Sequence, residues 1–155
     1  MKGSTHMPTS LLLPALLVLF AGAMTAAQPP TNAILARASG SVIFAALLSF
    51  SVGTLVLIAA TLATQPRLSF GPLREVPWYA WAGGFYGAFF VAVSAFAAPR
   101  LGIASLVTIG IAGQLLAALA IDHFGAFGIE RAEISPGRIL GVLLVIAGVV
   151  LVRRF

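Results

Sequence analysis

Gln114 is the one amide inside a long apolar run, Ile103 to Ile121, and lies four residues from both Gly110 and Ala118. Helical spacing puts those three positions on one small-residue face, where a ligand or a neighbouring backbone can reach the amide. An amide offers two N–H donors and one acceptor oxygen, which suits a neutral or zwitterionic ligand. The alternative use is an interhelical hydrogen bond, worth about 0.6–2 kcal/mol in a membrane helix. A second candidate is Gln28-Pro29-Pro30-Thr31-Asn32. Consecutive prolines free backbone carbonyls, and broken helices often mark transporter sites, with Gln28 and Asn32 as the polar side chains nearest the break. An ordinary loop between two helices explains the same residues. Asp122 and His123 stand together at the end of the run that holds Gln114. A carboxylate beside an imidazole can relay protons, because imidazole is the ordinary side chain that changes charge near neutral pH. Their position equally fits a helix end going polar at an interface.

Hydroxyls and aromatics complete the set. Ser49, Ser51, Thr54, Ser94, Ser105 and Thr108 lie in apolar runs, where such groups commonly bond back to their own helix. Ser49 is nevertheless kept as a substrate-contact candidate. Trp78, Trp81, Phe85, Phe89 and Phe96 form an aromatic stripe that either lines a substrate path or faces lipid. Trp81 and Tyr86 are also where cation–π contact could hold a cation. No nucleophile–base pair, phosphate-binding glycine loop or metal cluster is legible, so neither an enzyme nor a cofactor is expected.

The elements that must carry these residues follow from composition. Of 155 residues, 60% are hydrophobic and 8% charged. A soluble domain carries roughly 25% charged residues, so this chain cannot clothe a water-facing surface. Its net charge of +5 is spread along the chain without a clustered basic face, which excludes nucleic acid as a partner. With no cysteine, the redox compartment is unreadable. The 16 glycines and 9 prolines fit membrane helices, which tolerate both.

Five apolar stretches are predicted as spans: 11–27, 42–63, 78–98, 103–121 and 136–152. All fall in the range of about 17 to 25 residues that a helix needs to cross a bilayer. None contains Asp or Glu. The first is expected to end at Gln28-Pro29-Pro30, with the second helix free to begin early, from Thr31 or Asn32. Pro99-Arg100-Leu101-Gly102 reads as a tight turn, and Pro136 opens the fifth helix, where its missing N–H costs little. Trp78, Tyr79 and Trp81 fit an interfacial aromatic belt. Met1 to His6 reads as an expression-tag remnant ahead of Met7, leaving residues 7–155 as a single five-helix transmembrane domain. The fold class is therefore all-α, an integral membrane protein in contact with lipid on most of its surface.

Two glycine patterns suggest close helix packing. Gly83 and Gly87 are spaced as GxxxG, and Gly137, Gly141 and Gly148 lie along one face of the fifth span. The second pattern fits a dimer seam or tight packing within one protomer. Loop charge is balanced. One side carries Arg67, Arg74, Arg131 and Arg138, and the other carries Arg37, Arg100, Arg153 and Arg154. The positive-inside rule therefore leaves orientation unspecified.

A set of short motifs carries a family resemblance. They are Asn32-Ala33-Ile34-Leu35-Ala36, Ser49-Phe50-Ser51-Val52-Gly53-Thr54, Pro77-Trp78, Gly83-Gly84 and Pro99-Arg100-Leu101-Gly102. Gly113-Gln114-Leu115-Leu116, Ile121-Asp122-His123-Phe124-Gly125 and Arg138-Ile139-Leu140-Gly141 follow in order. In these the chain resembles the half-length, five-helix (YdcZ-like) members of the drug/metabolite transporter superfamily. The resemblance implies a multi-pass protein of the bacterial cytoplasmic membrane with a transport role and a small-molecule substrate. Full-length relatives are similar to two such halves in opposite orientation, an inverted repeat with substrate between them. A half-length chain matches that plan by pairing with an inverted copy, and balanced loops are what an antiparallel homodimer requires. Small multidrug exporters of the superfamily use a membrane-embedded Glu, which no span here supplies. The leading expectation is a secondary transporter. The alternatives are a small membrane subunit that packs on a larger partner without transporting, and a multidrug cation exporter.

Overall fold

The computed structural model describes residues 9–64 and 71–154, and these residues are α-helical, 3₁₀-helical or irregular. Five long helices appear in the order α1 (Thr9–Ser39), α2 (Val42–Thr64), α3 (Gly83–Leu101), α4 (Ile103–Phe124) and α5 (Pro136–Arg154). Each has the length and composition of a membrane span, α3 together with the 3₁₀ turn Trp78–Ala82 that precedes it. Helices are the form such segments take because lipid offers no partner to an unpaired peptide group. The expected remnant, Met1 to His6, and the loop residue Arg67 lie outside the described residues.

The first span is longer than its sequence suggests. Pro29 and Pro30 do not end it: α1 runs as a single 31-residue helix with Pro14, Pro29 and Pro30 inside. Nor does α2 begin early, since the turn falls at Ser39-Gly40-Ser41 and Ser41 caps α2 by accepting the Phe44 N–H at 3.2 Å. Each proline deletes one backbone donor, leaving the Thr25 and Ala26 carbonyls without their usual partner. In water such a helix would yield to solvent; in lipid, unwinding would orphan several more groups. Hydroxyls bind carbonyls beside the interruption. Thr31 Oγ1 donates to Gln28 O at 2.8 Å and to Ala27 O at 3.3 Å, and Thr25 Oγ1 to Ala21 O at 2.8 Å.

The same logic corrects the third boundary. Helix α3 passes through Pro99 to Leu101, so the expected four-residue turn shrinks to Gly102 alone. Gly102 adopts φ 75° and ψ 155°, a region essentially closed to residues with a Cβ. Replacing Gly102 with Ala is expected to destabilise the fold by about 1–3 kcal/mol, read as a lower detergent unfolding temperature. An unchanged temperature would mean the turn can relax to an ordinary conformation.

The chain divides into two compact units between Phe96 and Ala97, within α3. In the first, α1 packs against α2 as a hairpin with Ala33, Ala45 and Ala46 buried. Small side chains of this kind let helix backbones approach. Gly87 of α3 accepts the Phe50 ring of α2, since a Cβ there would lie 3.1 Å from Phe50 Cζ. In the second unit α4 packs against α5. The α4 end is closed by Gly125 in the left-handed conformation, and Ala132 N–H donates to Asp122 O at 2.9 Å. Ser135 then caps α5, accepting the Arg138 N–H at 3.3 Å ahead of Pro136 in the first turn.

Candidate functional site

Asn32 is the most deeply buried polar side chain among the described residues, 2% exposed. It sits on α1 two residues past Pro30, beside buried Ala33, in the half of the helix that packs on α2. Its Nδ2 is buried and makes no hydrogen bond. An unsatisfied buried donor costs about 1–3 kcal/mol, so the fold maintains this group at a loss. Gln28 lies one turn earlier on the same face, partly buried and without a side-chain hydrogen bond. The hydroxyl between them, Thr31, is occupied by its own helix. One stretch of α1 thus presents two free amides beside a pair of prolines.

The other expected residues of this unit are spread out. Ser49 is partly buried, whereas Ser51 donates to Leu47 O at 2.9 Å. Trp81 and Tyr86 are 62% and 58% exposed, and Tyr86 meets Phe85 edge-on at 6.2 Å. The stripe that contains Trp81 faces away from the chain's own core, with Trp78, Phe85 and Phe89 all strongly exposed.

In the second unit Gln114 is exposed on α4 and makes no hydrogen bond, while Gly110, one turn earlier, is partly buried. Among the described residues the amide is therefore not spent on a bond within its own unit. Asp122 and His123 are not hydrogen-bonded to each other. Adjacent helical residues project about 100° apart, and the Asp122 carboxylate instead meets Arg138, Nη1 to Oδ2 at 3.2 Å. His123 stacks edge-on against Phe124 at 5.1 Å, and its Nδ1 is buried without a partner. Arg138 is the partner of Asp122 that spacing did not reveal. The available signal was that it opens α5 at the membrane boundary where Asp122 closes α4.

The expected packing glycines differ in use. Gly87 is filled by Phe50 and a Cβ on Gly137 would lie 4.0 Å from Ser135 Oγ, whereas a Cβ on Gly83, Gly141 or Gly148 would meet no neighbouring atom within 4 Å among the described residues. No group of His, Cys, Asp and Glu able to hold a metal occurs among the described residues.

The family described as "Putative inner membrane exporter, YdcZ" matches residues 13–151. The chain belongs to this family. It is 31% identical over 120 residues to the inner membrane protein YdcZ of Escherichia coli (strain K12), covering 76% of this chain and 79% of that protein. No solved structure matches the chain. Membership in the drug/metabolite transporter superfamily, the five apolar helices and an inner-membrane relative agree on fold and location. The protein is a multi-pass inner membrane protein of a transporter family.

Proposed function

We propose that this protein is a secondary transporter that exports a small metabolite or drug-like compound by alternating access at the interface of an antiparallel homodimer. The observation that carries the reading is the buried, unpartnered amide of Asn32 beside Pro29 and Pro30. A polar group held in a membrane helix without a partner is costly and marks a substrate path. The substrate meets Asn32 with an acceptor, a carbonyl or carboxylate oxygen, and Gln28 adds a second amide within one turn. Gln114, exposed on α4, is a further amide of the same chemistry.

Two features support the antiparallel arrangement. The arginines are balanced four against four across the five crossings, and five helices make one half of the superfamily's inverted-repeat plan. Exchange driven by a buried carboxylate is disfavoured. The one carboxylate within the described spans, Asp122, lies in the last turn of α4 and is engaged by Arg138. A proton gradient is accordingly not obligatory for flux.

Cysteines introduced at the two termini of a transport-competent chain test the arrangement. Each is expected to react with a membrane-impermeant reagent from both sides of the membrane. Labelling of each terminus from one side only would rule out the antiparallel dimer and leave a parallel or monomeric protein. Flux across a metabolite panel in liposomes tests transport itself.

A further inference from the structure

Between α4 and α5 lies a cleft of about 280 Å³, walled by Leu115, Ala118 and Leu119 on one side and Gly141 and Val142 on the other. Asp122 and Arg138 also line it. Enclosed sites for drug-sized ligands run from about 300 to 1,000 Å³, so this cleft stands at the small end of that range and suits a narrow chain. Its interior is open, since a Cβ on Gly141 would meet nothing within 4 Å. Ala118 and Gly141 are exposed, so the cleft communicates with the surrounding bilayer.

The two charged residues stand at one end of this apolar channel. Asp122 is in the last turn of α4 and Arg138 in the first turn of α5, so both sit where the spans leave the hydrocarbon. Leu115, seven residues before Asp122, lies roughly 10 Å deeper at 1.5 Å per residue. The pair is only partly used. A single contact joins Nη1 to Oδ2, and the two side chains are 39% and 34% exposed. The remaining guanidinium donors and the second carboxylate oxygen have no partner among the described residues. A guanidinium carries five donors in a fork that matches phosphate, and a carboxylate accepts from an ammonium. Cation and anion together give a net charge of zero, so the mouth suits a headgroup that is itself neutral overall.

We infer that this cleft seats one phospholipid of the bilayer whose headgroup carries both a phosphate and a primary ammonium. The phosphate takes the free donors of Arg138, the ammonium reaches the free oxygen of Asp122, and an acyl chain lies in the channel below. A choline headgroup has no N–H to offer Asp122. A glycerol headgroup brings a net negative charge and only neutral hydroxyls, so the second oxygen of Asp122 gains no cationic partner and the carboxylate is repelled.

Native mass spectrometry of the full-length protein with added lipids of matched chains tests this. Phosphatidylethanolamine is expected to be retained roughly tenfold better than phosphatidylcholine or phosphatidylglycerol, the size of one charge-assisted hydrogen bond. Gly141→Leu fills the channel and leaves the ion pair intact. It is expected to lower ethanolamine-lipid retention to the choline level with the unfolding temperature unchanged. Arg138→Gln is expected to remove the headgroup preference, and should that variant fail to fold, the lipid panel and Gly141→Leu decide alone. Equal retention of the three headgroups, or undiminished retention in Gly141→Leu, would overturn the inference. Loss of dimer in Gly141→Leu with lipid binding unchanged would also overturn it, and would assign the cleft to a second copy of the chain.

Discussion

Asn32→Leu is expected to abolish transport while making the protein more stable. The two effects have one cause. The Asn32 amide is 2% exposed and its Nδ2 has no partner, so the folded state carries an unsatisfied donor. Leu has nearly the same shape and no polar atom, and its introduction should recover up to about 1–3 kcal/mol as a higher unfolding temperature in detergent. A site built to hydrogen-bond its ligand discriminates strongly once that group is lost, and flux into liposomes should fall by at least about tenfold. A structural role for the amide predicts the reverse pattern: lower stability, with flux per folded molecule preserved. Measuring both quantities on the same preparation separates the readings, and the reverse pattern would remove the observation on which the transport proposal rests.

Gln114→Leu is expected to remove transport and leave the protomer's stability unchanged. Here the starting point is different, because Gln114 is exposed on α4 with no hydrogen bond to lose among the described residues. If the amide bonded across the dimer, the substitution would cost about 0.6–2 kcal/mol of association, and the dimer fraction would drop with it. The expected result is a dimer of normal strength with flux reduced by about tenfold or more, the size of one lost ligand hydrogen bond. Unchanged flux would place Gln114 against lipid. A weakened dimer would make it an interface bond between copies.

The contrast between these two amides shows what sequence can and cannot carry. All five spans were legible, because an apolar run of sufficient length has one way to satisfy its peptide groups in lipid. Gln114 was legible because polarity inside such a run is expensive and stands out, whereas Asn32 was legible only as part of the proline break. Their surroundings were not. Asn32 follows two prolines, and local rules set it in or beside a loop. Its place in a continuous α1, buried in the half that packs on α2, depends on long-range packing and on the cost of unwinding in lipid, which no local rule contains. Pro99 was misjudged as a turn for the same reason.

The Asp122–Arg138 pair marks the sharpest division. Sixteen residues separate the two, and the sequence alone offered His123 as the natural neighbour of Asp122. Helical geometry turns His123 away. The path between α4 and α5 then brings Arg138 back: Gly125 reverses the chain in its left-handed conformation, Ala132 N–H ties the returning segment to Asp122 O, and Ser135 starts α5 one turn before Arg138. Composition and apolar runs determined that this chain spans the membrane five times, because burial in lipid is a property of a single segment. Which amide is buried, which glycine lies open and which arginine meets the aspartate were decided only in three dimensions, because each depends on where a second segment comes to rest.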